Sequence, residues 1–189
     1  MWGEGRVKEL AFGKKFDNGG QEFTANERVF PDNVESIRFG FGFNKKLVPG
    51  MWGEGTVKEL AFGRDFNNGG QEFTENDRVF PDNVESIRFG FDFNQKLVPG
   101  MWGEGRVKEL AFGKKFDNGG QEFTANERVF PDNVESIRFG VDFNQKLVPG
   151  MWGRGTVKEL AFGGGFNNKG KEFTRYERVF PENVESIDF

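Results

Sequence analysis

A chain of 189 residues carrying 26 basic and 30 acidic side chains, net charge −4, fits one continuous domain. It argues against a general affinity for nucleic acid, which needs clustered Lys and Arg. Cysteine and histidine are both absent, excluding disulfides and thiolate metal sites and removing the commonest general base and metal ligand.

No apolar run approaches the ~18 residues of a membrane span. The opening "MWGEGRVKEL" lacks the basic-then-apolar layout of a signal peptide. Both features lean toward an intracellular, cytoplasmic setting with no membrane partner. Phenylalanine is abundant, with 25 copies against one tyrosine and four tryptophans. That composition suggests a thin, aromatic core under a charged surface.

From the first residue the chain repeats itself. "MWG" opens at Met1, Met51, Met101 and Met151, giving four blocks, the last shorter, in one repeat-array domain over residues 1–189. Such near identity fits an idealised, designed or recently duplicated array. Within each block a shorter phrase occurs twice. The first copy is Val7, Leu10, Phe12, Gly13, Phe16 and Asp17; the second is Val34, Ile37, Phe39, Gly40, Phe43 and Asn44.

The same phrase restarts at Val57, Val84, Val107, Val134, Val157 and Val184, so the steps alternate between 27 and 23 residues over eight coils. Leu or Ile two residues before Phe is strand alternation, and the glycines at 13, 19 and 20 cut short any helical stripe. A unit this short buries its apolar face only by stacking on copies of itself. The expected fold is mainly β: a solenoid with one parallel sheet, about 40 Å long at ~4.8 Å per coil. A four-bladed propeller of antiparallel strands is the rival architecture.

The links between phrases suit a coil. In "NQKLVPGMW", Leu97, Met101 and Trp102 should turn inward, with Pro99 and Gly100 making a corner. In "DNGGQEFTANERVFP", Phe23, Val29 and Phe30 should take the matching places. Gly19 and Gly20 there supply left-handed backbone at no steric cost.

Stacking carries a check of its own. The residue after each leading Val runs Lys8, Glu35, Lys58, Glu85, Lys108, Glu135, Lys158, Glu185. Opposite charges would then neighbour each other at every rung, where like charges would repel. The residue after Leu/Ile runs Ala11, Arg38, Ala61, Arg88, Ala111, Arg138, Ala161, Asp188, so alanine separates each charge from the next.

"VFPDNVESIRFGFDFNQKLVPG" resembles the FNIP repeat, a unit of about twenty-two residues related to leucine-rich repeats. Pro81, Val84, Ile87, Phe89, Gly90, Phe93, Asn94, Gln95 and Gly100 fill its pattern. The other dialect keeps Val57, Leu60, Phe62, Gly63, Phe66 and Asn67. The resemblance implies a right-handed, leucine-rich-repeat-like coil with a parallel sheet and no catalytic residues or cofactor. Asn44, Asn94 and Asn144 then form a structural ladder satisfying backbone groups at a turn.

"DNGGQE" is oxygen-rich, but its fourth copy "NNKGKE" loses acid and gains Lys169 and Lys171, so a solvated turn is expected rather than a calcium site. Glu9 and Glu35 recur on an open face with lysines between them, which makes no enclosed acid–base pair, and no enzyme is expected. Trp2, Trp52, Trp102 and Trp152 are expected in the core, although repeated aromatics can stack on sugars. Phe41 and Phe91, replaced by Val141, occupy a position that elsewhere holds Lys14, Arg64 and Lys114, so an intermittent exposed apolar row is expected.

The expected interaction surface is therefore Lys8, Glu35, Arg38, Phe41, Lys58, Glu85, Arg88, Phe91, Lys108, Glu135 and Arg138. The expected function is a non-enzymatic scaffold for a protein partner or for head-to-tail self-assembly, because neither end of the sequence reads as a polar cap. Carbohydrate binding through the aromatic loops is the alternative. Arg175 and Tyr176, with Asp188 in the arginine row, are either an end adaptation or mere drift between copies.

Overall fold

The computed structural model describes residues 7–53, 56–75, 77–103, 106–153, 156–174 and 177–189. Trp2, Arg175 and Tyr176, singled out above, lie outside these. Eight three-residue strands form one sheet: β1 (Glu9–Ala11), β2 (Ser36–Arg38), β3 (Glu59–Ala61), β4 (Ser86–Arg88), β5 (Glu109–Ala111), β6 (Ser136–Arg138), β7 (Glu159–Ala161) and β8 (Ser186–Asp188). Their order in space is their order in sequence, and every neighbouring pair is parallel. The chain is a β-solenoid, and the propeller's antiparallel strands are ruled out.

Register follows the repeat without slippage. Leu10 sits beside Ile37, Ile37 beside Leu60, and so to Leu160 beside Ile187. Backbone bonds extend the ladder on both sides of each strand, as in Glu35 N–H to Lys8 O at 2.8 Å and Phe39 N–H to Ala61 O at 2.8 Å. A one-residue slip would turn Leu and Ile outward, so burial of that row fixes the pairing.

The aromatic core consists of continuous columns. Phe12, Phe39, Phe62, Phe89, Phe112, Phe139 and Phe162 stack ring on ring, with centroids 5.2–5.7 Å apart. Phe16, Phe43, Phe66, Phe93, Phe116, Phe143 and Phe166 stack at 5.8–5.9 Å. Within a coil the two columns meet at about 4 Å, as for Phe39 and Phe43. Offset stacking of this kind adds about 0.5–1.5 kcal/mol per pair beyond area burial.

The links turn inward as their sequence indicates. Leu97, Met101 and Trp102 are buried, as are Phe23 and Phe30, whereas Val29 is half-buried although its counterparts Val79 and Val129 are buried. Gly100 makes its corner at φ +77°. In the longer coils Asn18–Gly20, Asn68–Gly70, Asn118–Gly120 and Asn168–Gly170 form short 3₁₀ turns.

The glycine after the strand has a different reason to be glycine. A Cβ on Gly140 would lie 2.5 Å from the carbonyl carbon of Gly113 and 2.8 Å from Lys114 Cα, and closer still to Gly113 O. Neighbouring coils touch backbone to backbone there, and no side chain fits between. Among the described residues no helix is long and apolar enough to cross a membrane.

Candidate interaction face

The outer face of the sheet is built by strand alternation. Leu and Ile point into the core, which leaves the first and third residues of each strand outside. Two columns result. One reads Glu9, Ser36, Glu59, Ser86, Glu109, Ser136, Glu159, Ser186; the other reads Ala11, Arg38, Ala61, Arg88, Ala111, Arg138, Ala161, Asp188.

Serine engages part of the first column. Ser36 Oγ donates to Glu59 Oε2 at 3.5 Å, and Ser86 Oγ to Glu109 Oε2 at 3.4 Å. The arginines have no such partner. Arg38, Arg88 and Arg138 are exposed, and none of their guanidinium groups makes an ion pair or hydrogen bond with another described residue. Between them, over Ala61 and Ala111, the face is indented by open slots of about 320 and 440 Å³.

Beside these columns runs the alternating row. Lys8 Nζ lies 2.7 Å from Glu35 Oε1, Lys108 Nζ 3.2 Å from Glu85 Oε2, and Lys158 Nζ 2.8 Å from Glu135 Oε2. Hydrogen bonding and then attraction by Lys8 hold the Glu35 carboxyl below its ordinary value, and Glu35 raises Lys8 in return. Glu135 and Lys158 shift each other in the same senses for the same reasons. From Glu85 to Glu185 the row is one wall of a trough of about 760 Å³ that also touches Arg106, Asn133 and Thr156.

The apolar row proves uneven. Phe41 and Val141 are 55% and 51% exposed, whereas Phe91 is half-buried. Arg64 lies 5.0 Å from the centre of its ring, with Lys114 and Lys115 at 5.5 and 5.7 Å. Lys115 also pairs with Asp92 at 2.6 Å, and that contact holds it near the ring. Lys8, Glu35, Lys58, Glu85, Lys108, Glu135, Arg38, Arg88 and Arg138 thus share one region, while Phe41 and Phe91 stand further along the coil.

The three described tryptophans belong to the core. Trp52 and Trp102 donate through Nε1 to Val79 O and Val129 O, both at 2.7 Å, and stack on Phe30 and Phe80. Trp152 repeats the arrangement on Val179 O and Phe130.

The asparagine ladder is present as well. Asn44 Oδ1 accepts from the backbone N–H of Asn67 and Gly69, Asn94 Oδ1 from Asp117 and Gly119, and Asn144 Oδ1 from Asn167 and Lys169. Sequence reasoning missed its counterpart. Asn68, Asn118 and Asn168 are buried, and their Oδ1 atoms accept from Leu47, Leu97 and Leu147 N–H at 2.7–2.8 Å. Their persistence in every copy, while the residues on either side vary, was the available signal.

No family model matches the chain, and no curated protein does. Among solved structures it is similar to CroV588, whose crystal structure is described as a novel circular LRR protein structure. The TM-score is 0.77 at 30% identity. The fold is leucine-rich-repeat-like. The match takes in 96% of this chain but 23% of CroV588, so it bears on the architecture of the coils and not on the whole of that protein.

Proposed function

We propose that the chain is an array of FNIP-type repeats acting as a non-enzymatic scaffold that binds a protein partner on its sheet face. The observation that carries this reading is the row of three exposed arginine side chains without partners, set on an open sheet beside a row in which Lys8–Glu35, Lys108–Glu85 and Lys158–Glu135 already pair. The described titratable groups on this face stand on an open surface, which suits recognition better than acid–base chemistry.

Selection of displayed random peptides against the chain tests the reading. Enriched peptides are expected to lose binding when Arg38, Arg88 and Arg138 are all replaced by alanine. Enrichment that ignores those substitutions, or none at all, overturns it. Head-to-tail self-assembly is a separate proposal, checked by light scattering against concentration; a strict monomer counts against it. Carbohydrate binding would have to use rings other than Trp52, Trp102 and Trp152, whose faces are stacked in the core.

A further inference from the structure

Arg38, Arg88 and Arg138 stand on alternate strands, so successive guanidiniums are two strand spacings apart, about 9.6 Å. The residue between each pair is alanine, so the floor is low and a ligand backbone can approach it. A ligand running across the strands, along the solenoid axis, meets a cation about every 9.6 Å. Regular backbones differ sharply in how they could answer that period.

A polyproline II chain rises about 3.1 Å per residue with three residues per turn, so every third side chain returns to one side after about 9.3 Å. An extended β-chain repeats a side every two residues, about 6.6–6.8 Å, and places its third residue on the opposite side. An α-helix returns after seven residues at about 10.5 Å, and over two steps it drifts from the arginines by about 1.8 Å. Polyproline II drifts by about 0.6 Å, well within the reach of an arginine side chain.

We infer that the arginine row binds an acidic segment in the polyproline II conformation, with a carboxylate at every third residue, one to each of Arg38, Arg88 and Arg138. This deepens the reading of the sheet face as a protein-binding surface and rests on it. Arg suits the role because its planar fork meets a carboxylate with two parallel hydrogen bonds. The neighbouring Glu59 and Glu109 occupy the strands between the arginines, and Glu159 the strand just beyond Arg138, each two residues away along the chain direction. They repel an acid placed out of phase, so they set the register of the ligand as well as weakening it. The slots over Ala61 and Ala111 receive the uncharged residues between the acids.

The experiment uses a fluorescent peptide of three consecutive Pro-Pro-Glu units, read by anisotropy. Three comparators accompany it: a peptide of the same composition with its glutamates adjacent, a helical peptide with acids seven residues apart, and a short single-stranded oligonucleotide. The triplet peptide is expected to bind at least tenfold more tightly than each of the three. Arg88→Ala should weaken it about tenfold, as expected when one charge-assisted pair is lost. Arg88→Lys should fall between, and Glu109→Gln should strengthen binding.

Equal binding of the adjacent-acid peptide or the oligonucleotide would mean simple charge attraction and overturn the proposal. Preference for the helical peptide, indifference to Arg88→Ala in a folded variant, or no binding at millimolar protein would overturn it too. If displayed peptides depend on the three arginines while the triplet peptide fails, the surface stands and the polyproline mode falls. If neither depends on them, both fall.

Discussion

Replacing Gly140 by alanine puts one methyl group where two coils touch. Its Cβ would stand 2.5 Å from the Gly113 carbonyl carbon and 2.8 Å from Lys114 Cα, where carbon atoms prefer 3.5–4.0 Å. The obstacle is backbone on both counts, so no rotamer change relieves it, and the coils must part locally by about 1 Å. Two backbone bonds bracket the spot: Phe112 N–H to Arg138 O at 2.8 Å and Asp142 N–H to Lys114 O at 2.9 Å.

Weakening both costs about 1 kcal/mol each, and overpacking adds about 1–3 kcal/mol, for a total of about 3–5 kcal/mol. Gly164 is the control, since a Cβ there meets nothing within 4 Å and its φ lies outside the left-handed region. Urea unfolding followed by tryptophan fluorescence should therefore shift strongly for Gly140→Ala and hardly at all for Gly164→Ala. Equal shifts in the two variants, or a Gly140→Ala protein within about 0.5 kcal/mol of the parent, would show that backbone contact between coils does not dictate this glycine.

Asn118→Ala orphans the buried Leu97 N–H and the Gln121 carbonyl, a loss of about 2–4 kcal/mol, and amide exchange at Leu97 should accelerate while that at Ile37 does not. Trp102→Phe leaves Val129 O without its donor and should lower stability by about 1–3 kcal/mol; an unchanged melting temperature would contradict the bonding role. The Glu35 carboxyl should titrate below an unpaired glutamate and rise toward the ordinary range in Lys8→Gln or in 1 M salt, read by NMR. Because the Glu35 and Glu135 values are lowered, their stabilising contribution is present above the unfolded carboxylate pKa and disappears as pH falls through the folded one. Because Lys8 and Lys158 are raised, theirs is present below the unfolded lysine pKa and disappears as pH rises through the folded one, so stability should be flat between those limits.

The sequence alone determined the coil, its register and its outer columns. Period-two alternation in "VKELAF" and "VESIRF" already says which side chains point out, and eight copies say what lies beside each. Lys8 beside Glu35, and Arg38 between alanines, follow from that. Tertiary structure decided whatever depends on contacts across coils at positions the alternation does not govern. Asn118 looks like one more loop residue until the preceding coil lays Leu97 N–H against it, 21 residues away in sequence. Phe41 and Phe91 share a place in the repeat, yet Phe91 is sheltered because Arg64 and Lys115 reach it from the coils on either side. The physical reason is range: a strand's pattern is written in adjacent residues, whereas the fit between coils is fixed only when they are stacked.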